Sequence, residues 1–255
     1  MEHAKQVAHD ALQSLGLVVT DIPESESDGK RADLLANDDT FQYLIEVKQR
    51  FEDPEQRESN LQRMSEGEVV PSSEPHSYSN RIDGILRDGL KQIDETPADD
   101  NTFNLLWFHA EGMDADLKVR RARNTFYGLV PLIPLTPHGE TVNCFYFDFC
   151  TSFRMPTVHG LALVDGDGLQ LCINEFADKA DHFRRSSLVQ RLGTAVIDPF
   201  AIESQGDAIV LRSCISRREE QAVLDELERI TNTKFTAVRM NRHSASATVF
   251  RGRAT

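Results

Sequence analysis

Two carboxylates and one lysine are spaced so that they could act at a single point of the molecule. Asp33 is followed, after twelve intervening residues, by Glu46 and then, across Val47, by Lys48. Carboxylates and an ammonium group can together hold a cation or move a proton, so this set is the strongest chemical signal in the chain. The alternative is an ordinary exposed ion pair between Glu46 and Lys48, which would contribute only about 0–1 kcal/mol to stability.

The elements that would position these side chains are two short apolar runs, residues 31–36 and residues 41–48. Between them lies the sequence Asn-Asp-Asp-Thr at 37–40, whose composition suits a tight turn. The second run alternates with period two, which separates Phe41, Tyr43, Ile45 and Val47 from Gln42, Leu44, Glu46 and Lys48. We therefore predict a β-hairpin in which Glu46 and Lys48 point to the same side, opposite the packed face, with Asp33 on the partner strand beside them.

The spacing of Asp33 and Glu46-Val47-Lys48 resembles the signature of the PD-(D/E)XK nuclease superfamily, whose members have the restriction-endonuclease-like fold. The pattern is short, but both of its parts fall on predicted paired strands, one at the start of its strand and the other at the end of the next. Ala32 stands where many members carry proline, a departure that occurs often in the superfamily.

The resemblance implies a metal-dependent nuclease that hydrolyses phosphodiester bonds. It assigns Asp33, Glu46 and the main-chain carbonyl of Val47 as ligands of Mg²⁺ or Mn²⁺, and Lys48 as the group that orients or activates the attacking water. In several groups of the superfamily a glutamine or lysine on the following helix contributes to the site. Gln92 is therefore a fourth candidate catalytic residue.

The order of predicted elements agrees with this resemblance. It is a helix at 3–15, three strands, a helix from about residue 79, a buried strand at 103–108, a helix at 113–125 and a strand at 129–135. Residues 50–80 are polar and interrupted by proline, which favours a flexible excursion over the site. The predicted fold class is α/β: a restriction-endonuclease-like core, with a mixed central sheet flanked by helices, followed by an α+β C-terminal region.

The hydrophobic pattern changes after residue 136. We divide the chain into a nuclease-like core, residues 1–136, and an α+β region, residues 137–255, with a role in substrate selection or dimerisation. The sequence Asp-Gly-Asp-Gly at 165–168 predicts a hairpin turn, and Ser-Arg-Arg-Glu at 216–219 is a capping box that predicts the start of a helix.

Composition restricts the setting in which such an enzyme would work. The net charge of −13 argues against broad, loose affinity for nucleic acid, although carboxylates and a divalent ion can still serve one phosphate locally. No apolar run approaches the ~20 residues of a membrane span and no signal segment is visible, so cytoplasmic residence without a membrane partner is expected. The four cysteines lack CxxC spacing and are expected to be buried reduced thiols.

Several other polar residues are weaker candidates for the site. Glu24 or Glu26 could approach a metal, Lys91 lies beside Gln92, and His109 follows the buried strand; a structural or solvated role is the alternative for each. Basic side chains that could contact phosphates are Arg50, Arg57 and Arg63, the cluster Lys118, Arg120, Arg121 and Arg123, and the C-terminal group Arg229, Lys234, Arg239, Arg242, Arg251 and Arg253.

The function predicted from these observations is Mg²⁺-dependent nucleic-acid hydrolysis, with DNA as the expected substrate and a place in restriction or phage defence. A repair or recombination nuclease is the other nuclease role. The sequence does not distinguish DNA from RNA or single-stranded from double-stranded substrates. It is also compatible with a homodimer and with a chain that needs a partner protein. The alternative function is a nuclease-like subunit that binds nucleic acid or regulates without catalysis; retention of Lys48 argues against it.

Overall fold

The hairpin predicted around the chemical residues is present. In the computed structural model, which describes residues 2–23, 31–50, 54–75, 77–112, 114–166, 168–239 and 242–247, strand β2 (Leu34–Asn37) pairs with strand β3 (Gln42–Arg50). The pairing is antiparallel and sets Leu34 opposite Ile45. The turn is stabilised locally, since the side chain of Asp38 accepts hydrogen bonds from the backbone N–H groups of Thr40 and Phe41 at 2.8 Å each.

The remaining elements of the first half surround this hairpin. They are α1 (Glu2–Ser14), β1 (Val18–Asp21), α2 (Pro54–Ser65), β4 (Val70–Pro75), α3 (Asn80–Asp94), β5 (Thr102–Ala110) and α4 (Ala115–Tyr127). Helix α3 begins as its sequence predicts, because Ser79 adopts an extended conformation and its side chain accepts a hydrogen bond from the N–H of Ile82.

The second half contributes further strands and short helices. They are β6 (Val130–Pro134), β7 (Val142–Phe145), β8 (Gly160–Asp165), β9 (Gly168–Ile173), α5 (Ala180–Phe183), α6 (Ser187–Leu192), β10 (Val196–Ile197), α7 (Pro199–Ser204), β11 (Ala208–Val210), α8 (Glu220–Thr231), β12 (Phe235–Ala237) and β13 (Arg242–Ala247).

Seven of the described strands form one large mixed sheet flanked by helices, so the coarse α/β class is confirmed. Its order is β1-β2-β3-β5-β8-β9-β10. The centre, β3-β5-β8, is parallel, whereas β1 pairs antiparallel with β2, and β2 pairs antiparallel with β3. Strand β5 is buried along both faces, as the apolar run at 103–108 predicts.

Strand β3 differs from the prediction in one respect that matters for the chemistry, because both of its faces are covered. Tyr43, Ile45 and Val47 pack with the apolar side of α1, as expected. Leu44, on the other face, packs with residues of α3, among them Leu86. The face opposite the predicted packed face is therefore covered by α3, and the polar side chains on it are shielded from water.

Residues 50–80 also differ from the prediction of a flexible excursion. Residues 54–65 form α2, and β4 at 70–75 pairs antiparallel with β13 at 242–247. The partner strand of β4 lies about 170 residues away in the chain, and local composition cannot report so distant a pairing.

The described strands after residue 136 contribute to three sheets. Strands β8, β9 and β10 extend the large sheet, β7, β11 and β12 join β6 in a sheet of order β11-β7-β6-β12, and β13 pairs with β4. The hairpin at 165–168 is confirmed by the antiparallel pairing of β8 with β9. The capping box at 216–219 is wrong, since α8 begins at Glu220 and Ser216 accepts only from the N–H of Arg218. The proposed division at residue 136 stays a prediction, although both sides of it supply strands to the large sheet.

Two glycines of α3 give a test of how closely this helix packs on the sheet. A Cβ at Gly89 would lie 2.6 Å from Leu106 Cδ2, 3.2 Å from Lys48 Cε and 3.3 Å from Glu46 Cγ, whereas a Cβ at Gly84 would meet nothing within 4 Å. We expect Gly84→Ala to stabilise the protein by about 0.4–1 kcal/mol through the unfolded state. Gly89→Ala should instead destabilise it by about 1–3 kcal/mol, because the methyl group overpacks the interface.

Urea denaturation of the two variants and the parent measures both effects. Equal stabilisation by the two substitutions would show that α3 does not lie as close to β3 as described.

Candidate active site

Asp33 lies just before β2, opposite Glu46 in the middle of β3; the prediction that Glu46-Val47-Lys48 ends its strand is wrong, because β3 continues to Arg50 beside β5. Extending the register of β2 and β3 by one residue sets Asp33 opposite Glu46, and the N–H of Asp33 donates to the carbonyl of Ile45 at 3.0 Å. Directly opposed residues of an antiparallel pair have side chains on the same face. The Asp33 carboxylate is held in place by the N–H of Val47, which donates to Oδ2 at 2.8 Å. The hairpin therefore brings the two carboxylates together, as its sequence predicts.

Glu46 carries its carboxylate in an almost dry environment. Its side chain is 1% exposed, and its Oε1 lies 2.5 Å from the ammonium nitrogen of Lys48. Burial raises the pKa of Glu46 from 4.5 to about 7; the nearby Asp33 also raises it, whereas Lys48 lowers it. Lys48 is thus the counter-charge that keeps this carboxyl group ionisable near neutral pH.

Gln92 of α3 completes the contact between the helix and the strand. With its amide oriented to satisfy both neighbours, its nitrogen donates to Glu46 Oε1 at 2.7 Å and its oxygen accepts from Lys48 Nζ at 2.8 Å. Gly89 lies one turn earlier on the same helix and lets the helix approach the two side chains. Gln92 is therefore part of the Glu46–Lys48 network.

One charged residue at the site is absent from the sequence prediction. Lys5 of α1 places its ammonium nitrogen 2.6 Å from Asp33 Oδ1. The apolar stripe of α1 is evident from the sequence, but the position of Lys5 in the sequence gives no sign of a contact with Asp33. Only the packing of α1 against the sheet establishes this contact. Glu2 and Asp10 are exposed, and Asp10 interacts with Gln6 and His9.

The oxygen donors of the site are suited to a divalent cation that keeps several waters. Within the described ranges, no group of three or more His, Cys, Asp and Glu side chains is arranged to hold a metal ion. The oxygen donors available here are fewer: the two opposed carboxylates and the carbonyl of Val47. The N–H and C=O of one residue in a strand point to the same side, so this carbonyl faces β2, as the N–H of Val47 does. Mg²⁺ is commonly bound by one or two carboxylates with waters and substrate oxygens as its other ligands. A cation between Asp33 and Glu46 would also favour the ionised form of Glu46, whose pKa is raised mainly by burial and further by Asp33.

The weaker candidates do not converge on the carboxylates. Lys91 is exposed and pairs with Asp88 at 2.9 Å. His109 is 3% exposed and lies 3.7 Å from Glu111, and burial lowers its pKa. Glu24 and Glu26 lie outside the described residues.

The basic side chains proposed for phosphate contact mostly have carboxylate partners within the protein. Arg50 and Arg121 both bind the buried Glu74, at 3.0 and 2.8 Å. Lys118 is buried and contacts Asp114 at 2.6 Å. The remaining ion pairs are Arg63 with Glu68, Arg120 with Asp116, Arg229 with Glu226, Lys234 with Glu228, and Arg239 with Asp148 and Glu220. Arg57 is exposed, and Arg251 and Arg253 lie outside the described residues. Most of the basic side chains predicted from the sequence to contact phosphates are therefore already paired with carboxylates of the protein.

A groove lies beside the site. A cavity of about 480 Å³ is lined by residues that flank the carboxylates along their strands, Arg31 and Leu35 on either side of Asp33 and Leu44 before Glu46. Thr96, which lies one turn after Gln92, lines it as well. None of Asp33, Glu46, Lys48 and Gln92 lines the cavity, so it adjoins the site without including its polar groups.

Comparisons with protein-family models, with curated proteins and with solved structures found no match to this chain. In the part of the chain that the structure describes, no helix is both long enough and apolar enough to cross a bilayer. Cys144, Cys150 and Cys172 are buried free thiols, as predicted, whereas Cys214 is exposed. What the chain does must therefore be argued from the geometry of its site.

The raised pKa of Glu46 predicts an unusual dependence of stability on pH. Between pH 4.5 and about 7 the folded protein holds a proton on Glu46 that the unfolded chain has released. The stability contributed by this group is therefore fully present below pH 4.5 and is lost as the pH rises through 7, by at most about 3 kcal/mol. Glu46→Gln, which cannot ionise, should have near-parental stability at pH 5 and exceed the parent at pH 8.

Urea denaturation in the presence of a chelator, at both pH values, measures this difference. If the difference in the free energy of unfolding between variant and parent does not change with pH, the pKa of Glu46 is not raised in the folded protein.

Proposed function

We propose that this protein is a metal-dependent nuclease with a PD-(D/E)XK-type site on a restriction-endonuclease-like core. The observation that carries the proposal is the proximity of Asp33, at the start of β2, to Glu46 and Lys48 of β3, with Gln92 of α3 bonded to both members of the Glu46–Lys48 pair. A purely structural ion pair would not explain a second carboxylate opposed to the first, since that arrangement destabilises the ionised form of both.

Each residue has a role that its contacts support. Asp33 and Glu46, with the Val47 carbonyl, are the residues that would hold Mg²⁺ or Mn²⁺; when bound, such an ion supplies positive charge next to the phosphate and acidifies a water molecule. Lys48, whose ammonium group contacts Glu46, would orient the attacking water. Gln92 fixes the direction of the Lys48 side chain by accepting from it at 2.8 Å.

The surroundings support a polymeric anionic substrate that is positioned locally. The groove beside the carboxylates provides a place for the nucleotides that flank the bond to be cleaved. DNA is the substrate we propose. Affinity from the wider surface is expected to be weak, because the net charge is −13 and arginines such as Arg50, Arg121 and Arg239 already have acidic partners.

The first test is cleavage by the purified protein and by Lys48→Met. We expect the parent to cut with Mg²⁺ or Mn²⁺ and not with chelator, and the variant to lose activity by about 10²–10⁴-fold, the usual contribution of a positioned proton-transfer group. Supercoiled plasmid, linear duplex, single-stranded DNA and RNA are assayed in parallel. Lys91→Met is the matched control, because it removes an exposed lysine from α3 without touching the carboxylates.

Metal-dependent cleavage that survives in Lys48→Met at the parental rate would refute the assignment. Binding of nucleic acid without cleavage by the parent would favour the non-catalytic alternative.

The contribution of Gln92 is expected to appear in turnover and not in substrate affinity. Gln92→Ala leaves Lys48 bonded to Glu46 alone, and misplacement of about 1 Å can reduce the rate about 10²-fold. Steady-state kinetics should show a lower kcat with KM nearly unchanged. A change confined to KM would place Gln92 in substrate binding instead.

A further inference from the structure

Lys5 occupies the position at which a cation would approach Asp33. Its ammonium nitrogen lies 2.6 Å from Oδ1, while the other oxygen of the carboxylate accepts from the N–H of Val47. The side chains of Lys5 and Asp33 are only 21% and 11% exposed, so the pair is poorly screened by water. Both oxygens of Asp33 thus have partners within the chain.

The two carboxylates are neutralised by lysines from different parts of the fold. Lys48 lies on the same strand as Glu46, and Gln92 bonds to both of these side chains. Lys5 reaches Asp33 from α1, on the far side of the hairpin from α3. Lys5 itself therefore makes none of the contacts described for the Glu46–Lys48–Gln92 network, although Asp33 interacts with Glu46.

We propose that Lys5 is a built-in competitor of the metal: a divalent ion must displace its ammonium group from Asp33, so Lys5 sets the metal affinity of the site. This inference rests on the proposed metal-dependent function. An ammonium group 2.6 Å from Oδ1 and a Mg²⁺ ion about 2.0–2.1 Å from the same oxygen would repel each other strongly, so the ammonium group opposes binding of the ion. The flexible four-carbon stem of lysine allows the ammonium group to move away.

The proposal makes Lys5 a positioning residue with a measurable signature in metal binding alone. Removing the ammonium group leaves the Asp33 carboxylate without its counter-charge. A charge-assisted hydrogen bond no longer has to be broken when the ion binds. A purely structural lysine would have the opposite effect, because its loss would loosen α1 and disorder the ligand.

The experiment is calorimetric titration of MnCl₂ into the full-length protein without nucleic acid. The variants are Lys5→Met, Lys5→Gln, Lys5→Arg, Lys91→Met and Asp33→Asn, and circular dichroism confirms that each is folded. We expect Lys5→Met and Lys5→Gln to bind Mn²⁺ about tenfold more tightly than the parent, as loss of one charge-assisted contact implies. Lys5→Arg, which retains the charge, should remain within about threefold of the parent.

Lys91→Met controls for the change in net charge, since it also removes one lysine but lies on the exposed side of α3. Equal tightening in Lys91→Met and Lys5→Met would overturn the proposal, because the effect would then be a general one of protein charge. Unchanged or weaker binding by both Lys5→Met and Lys5→Gln would also overturn it.

The Asp33→Asn variant separates this inference from the proposed function. If Asp33→Asn weakens Mn²⁺ binding while the Lys5 variants leave it unchanged, the metal site stands and only the role of Lys5 is wrong. If Asp33→Asn binds Mn²⁺ as the parent does, the metal site itself is wrong. If one Lys5 variant does not fold, the other supplies the affinity; if neither folds, Lys5 is a structural residue and the proposal fails.

Discussion

Glu46 holds a carboxylate where water is almost excluded, and the rest of the site follows from that constraint. Transfer of an ionised carboxyl group into a protein interior costs several kcal/mol unless a partner compensates it. Lys48 and Gln92 supply that compensation at 2.5 and 2.7 Å, the first as a counter-charge and the second as a hydrogen-bond donor. The compensation is incomplete, since the pKa of Glu46 remains raised to about 7.

The burial that raises this pKa comes from α3, and α3 can lie close only because of its sequence. Its apolar residues, including Leu86, pack over the face of β3 that carries Leu44 and Glu46. Gly89 removes the side chain that would otherwise separate the helix from Lys48. Gln92 is then brought within reach one turn later. The same helix therefore dehydrates the carboxylate and supplies the group that satisfies it.

On the other side of the hairpin, α1 places a second lysine against the second carboxylate. Lys5 and Lys48 together balance Asp33 and Glu46, so the site is close to neutral without a metal. Two opposed carboxylates would repel each other if both were ionised and unpaired. The folded chain tolerates them because each has a lysine partner at hydrogen-bonding distance. This balance explains why two opposed carboxylates are compatible with a stable fold.

The sequence by itself determined the hairpin, its turn and the opposition of Asp33 to Glu46. These features depend on period-two alternation and on the turn chemistry of Asp38, which act over a few residues and are visible in composition. It also indicated Gln92, although through a resemblance and not through its spacing. Only the tertiary structure decided that Glu46 is buried, that Lys5 binds Asp33, and that residues 70–75 pair with 242–247. The physical reason is distance along the chain: these contacts join segments that are 28 to about 170 residues apart, and their free energy comes from packing between elements that no local pattern encodes.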